Sequence, residues 1–133
     1  MKECFLSVII PAYNEEKRVL PTLRKICAYL SVKDFPYEII VVDDGSTDNT
    51  LQMIKNFASS NNHLVILTNE QNSGKGYSVR KGMLSARGEY AFFTDADLST
   101  PIEEIDKCLP YLLNGYDVVI GSRSMPGADI IVH

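Results

Sequence analysis

Two hydrophobic rhythms alternate along this chain. Phe5 to Ile10 is an apolar run ended by Pro11, the mark of a fully buried strand. Glu15 to Leu30 then places Val19, Leu20, Leu23, Ile26, Cys27 and Leu30 at helical spacing. Pro21 falls in its first turns, where it marks either the true start or a kink. Tyr37 to Val42 is a second buried strand, ending at Asp43-Asp44, and a helix capped by Thr47 or Asp48 runs to about Ala58. Leu64 to Leu67 gives a third strand, and Gly74 to Ala86 a third helix stopped by Gly88. Tyr90 to Thr94 gives a fourth strand, Pro101 to Leu113 a fourth helix, and Asp117 to Ile120 a fifth strand.

Strands that are apolar on both sides, alternating with helices, predict a mostly parallel α/β sheet covered by helices on both faces. Such sheets bind ligands outside the carboxyl ends of their strands. Each conspicuous polar cluster falls at such an end. Asn14-Glu15 follows strand one, Asp43-Asp44 strand two, and Asn72 to Lys75 strand three. Asp95 and Asp97 follow strand four, and Arg123 follows strand five. Five clusters on one rim are too many for helix caps alone and point to a ligand site.

Composition narrows the class. At 133 residues one domain is expected, with enough chain to bury about two-thirds of its unfolded surface. Hydrophobic content is 45% and charged content 23%, ordinary globular values. A net charge of −4 argues against nonspecific nucleic-acid binding. No apolar run reaches the roughly 20 residues of a membrane span. The start, Met1-Lys2-Glu3-Cys4, leads into a strand and does not read as a signal peptide. Cys4, Cys27 and Cys108 lack metal-site spacing, and Cys27 and Cys108, in helical patterns, are simplest as buried thiols, so a reducing, cytoplasmic setting is expected.

The acids carry the chemistry. Asp95-Ala96-Asp97 closes a buried strand with two carboxylates, a costly way to build a core and a good way to hold a divalent cation on a phosphate ester. In extended geometry both side chains share a face while Ala96 points away. With nine Asp in the chain, chance gives roughly 0.6 Asp-x-Asp matches, so position is what makes the pair informative. Asp43 or Asp44 is placed to accept hydrogen bonds from a base or ribose. Gly74-Lys75-Gly76 lets backbone approach a ligand, and Lys75 adds positive charge. The loop is neither the dinucleotide fingerprint, since Val79 stands where the third glycine belongs, nor a Walker loop. Arg80 and Lys81 read equally well as a solvated helix face. Arg123 suits a phosphate through its planar fork. Tyr13 is either a stacking partner for a base or an ordinary half-buried aromatic.

In order, Val8-Ile9-Ile10-Pro11-Ala12-Tyr13-Asn14-Glu15, Val41-Val42-Asp43-Asp44-Gly45-Ser46-Thr47-Asp48, Asn72-Ser73-Gly74-Lys75-Gly76, Asp95-Ala96-Asp97 and Gly121-Ser122-Arg123 cover nearly the whole chain. This set resembles a family 2 glycosyltransferase with the Rossmann-like GT-A fold. The stretches Asp95 to Glu104 and Asn114 to Arg123 are most similar to dolichyl-phosphate and polyprenyl-phosphate glucosyltransferases.

The resemblance implies an enzyme that moves a sugar, glucose first, from a nucleotide diphosphate sugar to a dolichyl or polyprenyl phosphate with inversion. UDP-glucose is the favoured donor and GDP-mannose the second. It implies that Pro11, Ala12, Tyr13 and Glu15 line the nucleotide pocket, with Asp43 or Asp44 on the base or ribose and Lys75 near the nucleotide. Asp95 and Asp97 would flank Mg²⁺ or Mn²⁺, Asp97 and Arg123 would serve catalysis, and Arg123 would reach phosphate near the acceptor.

Residues 1–124 are expected to form the donor-binding domain and 125–133 to begin an acceptor-binding region that family members continue well beyond. The expected location is the cytoplasmic face of a membrane. Two rivals stand beside this reading: a nucleotide-sugar binding module without catalysis, and a family 2 transferase acting on a saccharide or other hydroxyl. Nucleotidyl transfer would need a Gly-rich, Arg-containing loop after strand one, where this chain has Pro-Ala-Tyr-Asn-Glu.

Overall fold

The fold follows from the side preferences of one central strand. A computed structural model describes residues 4–97, 102–103, 105–107, 110, 118–122 and 128–132. Strands β1 (Leu6–Ala12), β2 (Tyr37–Asp43), β3 (Leu64–Thr68) and β4 (Tyr90–Phe93) form a four-stranded sheet in the order β3-β2-β1-β4. Every pairing in it is parallel. On one face Leu6, Val8, Ile10 and Ala12 of β1 meet Val19, Leu23, Ile26 and Leu30 of helix α1 (Val19–Ser31) and Ile54 of helix α2 (Thr50–Ala58). On the other face Ile9 joins Ile40 and Val42 under Met83 of helix α3 (Lys75–Ser85). Full burial of each such aliphatic side chain stabilises by about 1.5–3 kcal/mol, which explains why the middles of β1 and β2, Val8 to Ile10 and Ile39 to Val42, are wholly apolar.

Two positions show how closely the layers approach. A Cβ on Gly82 would lie 2.5 Å from the Ile9 side chain, so glycine sets the distance between α3 and the sheet. Gly45 has φ +69°, and a Cβ there would lie 2.5 Å from the Gln71 backbone. At the amino end of the sheet a buried acid, Glu38, is satisfied by the Ser7 hydroxyl at 2.6 Å, the Arg87 N–H at 2.6 Å and the Arg87 guanidinium at 3.2 Å.

Several expectations shift. α1 begins at Val19, because residues 15–18 form a turn in which Arg18 and Val19 donate N–H groups to the Glu15 carbonyl. Pro21 is thus in the first helical turn, where its missing N–H costs nothing. Gly88 does not stop α3, which ends at Ser85. It packs on Ser7, to whose hydroxyl it donates its N–H at 2.9 Å. Lys81 is no solvated face, since it donates to the Thr68 carbonyl at 2.6 Å and Asn69 Oδ1 at 3.1 Å.

The fifth strand is a correction. Strand β5 (Val118–Ser122) does not join the parallel sheet but pairs antiparallel with strand β6 (Ala128–Val132), Val118 opposite Val132. Asp129-Ile130-Ile131-Val132, an apolar run after one polar residue, supplies the second strand. Of the fourth predicted helix, residues 105–107 and 110 are helical, and Ile102 and Ile105 enter the α1 core. Residues 102–103 form a turn, and residues 101, 104, 108–109 (with Cys108) and 111–113 lie outside the described residues, as does Arg123.

Candidate donor site

The cavity lies at the carboxyl ends of β1 and β4 and the amino end of α3. It has a volume of about 370 Å³. Pro11, Ala12, Tyr13, Glu15, Asp44, Lys75, Asp95 and Asp97 all line it, so eight of the ten expected site residues meet at one place. Asp43 is not on the cavity wall, and Arg123 lies outside the described residues.

The loops after β1 and β2 lock each other. Asn14 takes the left-handed φ of 50°, which its short amide tolerates better than most side chains. Its Oδ1 accepts the Thr47 N–H at 2.8 Å, and its N–H reaches the Ser46 hydroxyl at 2.9 Å. Glu15 donates its N–H to Thr50 Oγ1 at 2.8 Å. The N-cap position of α2 is Asn49, which makes no side-chain cap bond, rather than Thr47 or Asp48, although Asp48 accepts the Thr50 N–H at 2.9 Å. Burial would raise the Asp48 carboxyl, but the bonds from Thr50 and the Glu16 N–H outweigh it and hold it below the ordinary value.

The adjacent acids Asp43 and Asp44 have different roles. Asp44 is buried and spends both oxygens on the loop before α3. Oδ1 accepts the Ser73 N–H at 2.7 Å and the Asn69 amide at 2.9 Å. Oδ2 accepts the Gly74 N–H at 2.9 Å and the Asn72 amide at 3.0 Å. Burial pushes this carboxyl up, and the Ser73, Asn69 and Gly74 bonds overcome it, leaving it below the usual carboxylate range. Asp43 bonds the Ser46 N–H through Oδ2 at 3.3 Å, and its buried Oδ1 has no protein partner among the described residues. The buried Oε2 of Glu15 is in the same condition. Glu15 lines the cavity, so its unmatched acceptor suits a ligand that brings its own donor.

The Asp95–Asp97 pair is built differently from the extended-strand expectation. β4 ends at Phe93 and residues 96–97 turn, so Ala96 joins Asp95 and Asp97 on the cavity wall. Thr22 of α1 donates its hydroxyl to the Ala96 carbonyl and fixes that turn. Lys75 pairs with Asp95, and Arg18 lies 3.9 Å from Asp97. No group of three or more His, Cys, Asp or Glu among the described residues is arranged to hold a metal. Two carboxylates on one cavity wall suit a hard cation whose remaining ligands are substrate phosphate oxygens, the way Mg²⁺ is commonly held. Sequence reasoning missed Arg18 and Thr22. Neither lies at a strand end, and only the turn before α1 and the packing of that helix bring them to the acids.

A model of the family described as glycosyl transferase family 2 matches residues 7–130. The chain belongs to that family. A dolichyl-phosphate beta-glucosyltransferase of Trichomonas vaginalis is 39% identical to this family 2 member over 138 residues, covering 96% of this chain and 41% of the relative. The Saccharomyces cerevisiae dolichyl-phosphate beta-glucosyltransferase is 40% identical, covering 81% of this chain and 34% of the relative. The chain thus spans less than half the length of these curated relatives. Among solved structures, a mannosyltransferase of Pyrobaculum calidifontis in complex with GDP-Man and Mn²⁺ aligns with TM-score 0.69 and 26% identity, over 84% of this chain and 33% of that one. Staphylococcus aureus TarS in complex with UDP-GlcNAc aligns with TM-score 0.60 and 34% identity, over 77% and 31%. The parallel α/β sheet is that of GT-A glycosyltransferases.

Proposed function

We propose that this chain binds a nucleotide diphosphate sugar and forms the donor part of a divalent-metal-dependent transferase that glycosylates a dolichyl or polyprenyl phosphate. The observation that carries this reading is the convergence of Asp95, Asp97 and Lys75 with the unpaired Glu15 oxygen on one cavity. The relatives' names favour glucose, and UDP-glucose is the proposed donor, with GDP-mannose second.

Asp95 and Asp97 would hold Mg²⁺ or Mn²⁺. When bound, such a cation supplies Lewis-acid neutralisation of charge developing on the leaving diphosphate. The other residues bind and orient. Pro11, Ala12 and Tyr13 give the nucleoside an apolar wall, and Glu15 offers an acceptor for base or ribose donors. Lys75 balances phosphate charge, and Asp44 holds the loop that carries it. A lipid phosphate is already anionic at neutral pH and needs no general base, unlike an alcohol acceptor. We place Arg123 on phosphate oxygens of that acceptor, because its fork suits them. No helix among the described residues is long and apolar enough to cross a membrane.

Calorimetry with UDP-glucose and GDP-mannose, each with and without Mn²⁺, tests the donor reading. Cation-dependent binding of UDP-glucose is expected. Failure to bind any nucleotide sugar in the presence of Mn²⁺ or Mg²⁺ would overturn it. The acceptor is tested by replacing the aligned segment of the yeast relative with this chain and measuring radiolabelled glucose in dolichyl phosphate. A chimera that binds donor but labels no lipid favours a binding module instead.

A further inference from the structure

The two proposed metal carboxylates are each matched to a basic side chain from a different segment. Lys75, the first residue of α3, pairs with Asp95. Arg18, in the turn before α1, lies 3.9 Å from Asp97 and holds Glu15 at 2.7 Å. Side-chain exposure is 56% and 33% for Lys75 and Asp95, and 59% and 37% for Arg18 and Asp97. Ion pairs this exposed contribute little, so a ligand can exchange them at small cost. Gly74, just before Lys75, has φ +101° and nothing within 4 Å of where a Cβ would stand, so a ligand can approach this backbone.

We propose that Lys75 and Arg18 are resident counter-cations that leave the two aspartates for the donor diphosphate, so that divalent cation and nucleotide bind as a unit. This rests on the donor-site reading above and assigns Arg18 to the site for the first time. A cation arriving alone meets carboxylates whose charge two basic groups already offset. A cation arriving with a diphosphate brings oxygens to which those groups can turn. Arginine grips such oxygens with a planar fork, and lysine follows them as a mobile point charge. Coupling of this kind is reciprocal: the nucleotide raises cation affinity by the factor that the cation raises nucleotide affinity.

Calorimetric titration of Mn²⁺ alone, UDP alone and UDP with saturating Mn²⁺ tests this on the parent chain, Lys75→Met and Arg18→Gln. In the parent, UDP is expected to raise Mn²⁺ affinity about fivefold or more, the lower end of ordinary coupling. Each variant is expected to bind Mn²⁺ alone more tightly than the parent and the UDP–Mn²⁺ pair more weakly. These opposite signs distinguish exchange from simple loss of a contact. Circular dichroism melts confirm that each variant is folded. Variants with lower melting temperature but parental affinities mark the pairs as structural and overturn the proposal, as does unchanged or weaker binding of Mn²⁺ alone. A parent that binds the UDP–Mn²⁺ pair while variants show no opposite shifts sinks only the counter-cation role. A parent that binds neither ligand defeats the donor-site reading and this proposal together.

Discussion

Thr22, on the buried face of α1, donates its hydroxyl to the carbonyl of Ala96, the residue between Asp95 and Asp97. A helix that packs on the sheet core thereby holds the turn that presents both acids. Thr22→Val keeps the shape and removes the donor, leaving the Ala96 carbonyl unpaired in a buried setting. Such a loss costs about 1–3 kcal/mol. Urea unfolding should show that destabilisation, and Mn²⁺-dependent UDP-glucose affinity should fall with it. Parental affinity in the Val variant would show that the turn holds its shape unaided.

Asp44 makes a pH-dependent contribution to stability. Four donors converge on its carboxylate, and Asn in its place offers one acceptor oxygen and aims an NH₂ group at other donors. Asp44→Asn should destabilise by about 3 kcal/mol at neutral pH, since bonds to charged groups are each worth about 1.5–3 kcal/mol. The folded-state carboxyl lies below its unfolded value. Its contribution is therefore complete above the unfolded value near 3.9 and is lost as pH falls through the lower folded value. The stability gap between parent and Asn variant should narrow below about pH 4. Chemical unfolding across pH 3 to 7 measures it, and a gap that stays constant would mean that Asp44 keeps its charge in neither state or both.

The fold was largely legible because β1 and β2 are apolar on both sides, and only a sheet covered on both faces buries such strands. The site was legible as a rim for the same reason, since Asn14, Asp44, Lys75 and Asp95 all fall in polar stretches that follow apolar runs. What stayed hidden depends on contacts distant in sequence. Nothing local separates Asp43 from Asp44, yet the structure gives one a clamp over residues 69–74 and leaves the other an unpaired oxygen. The alternation that suggested a fifth parallel strand could not register that residues 128–132 offer a closer antiparallel partner.

Nucleotide choice follows from the loop after β1. Dinucleotide folds place a glycine-rich turn and a helix amino terminus there to receive a pyrophosphate. Here that loop holds Tyr13-Asn14-Glu15, with the Glu15 carboxylate on the cavity, and the glycine pair opens α3 instead. UDP should compete with UDP-glucose for the site, and NAD should not. Displacement calorimetry decides it. Tight NAD binding with no effect of UDP would contradict the donor assignment.

Asp97 is the sharpest single test of the metal assignment. Its side chain is 37% exposed and sits in a turn, outside any strand or helix. Substitutions at such surface positions usually change stability by no more than about 0.5 kcal/mol. Asp97→Ala should therefore melt near the parental temperature. It should still lose the increment in UDP-glucose affinity that Mn²⁺ confers, because one of the two carboxylates facing the diphosphate is gone. UDP-glucose binding without metal should change little or rise slightly, since a negative charge beside the phosphates has been removed. The comparison needs only calorimetry of parent and variant with Mn²⁺ and with a chelator. If the variant keeps the full Mn²⁺-dependent increment, Asp97 does not hold the cation, and Asp95 would have to carry that role with other oxygens.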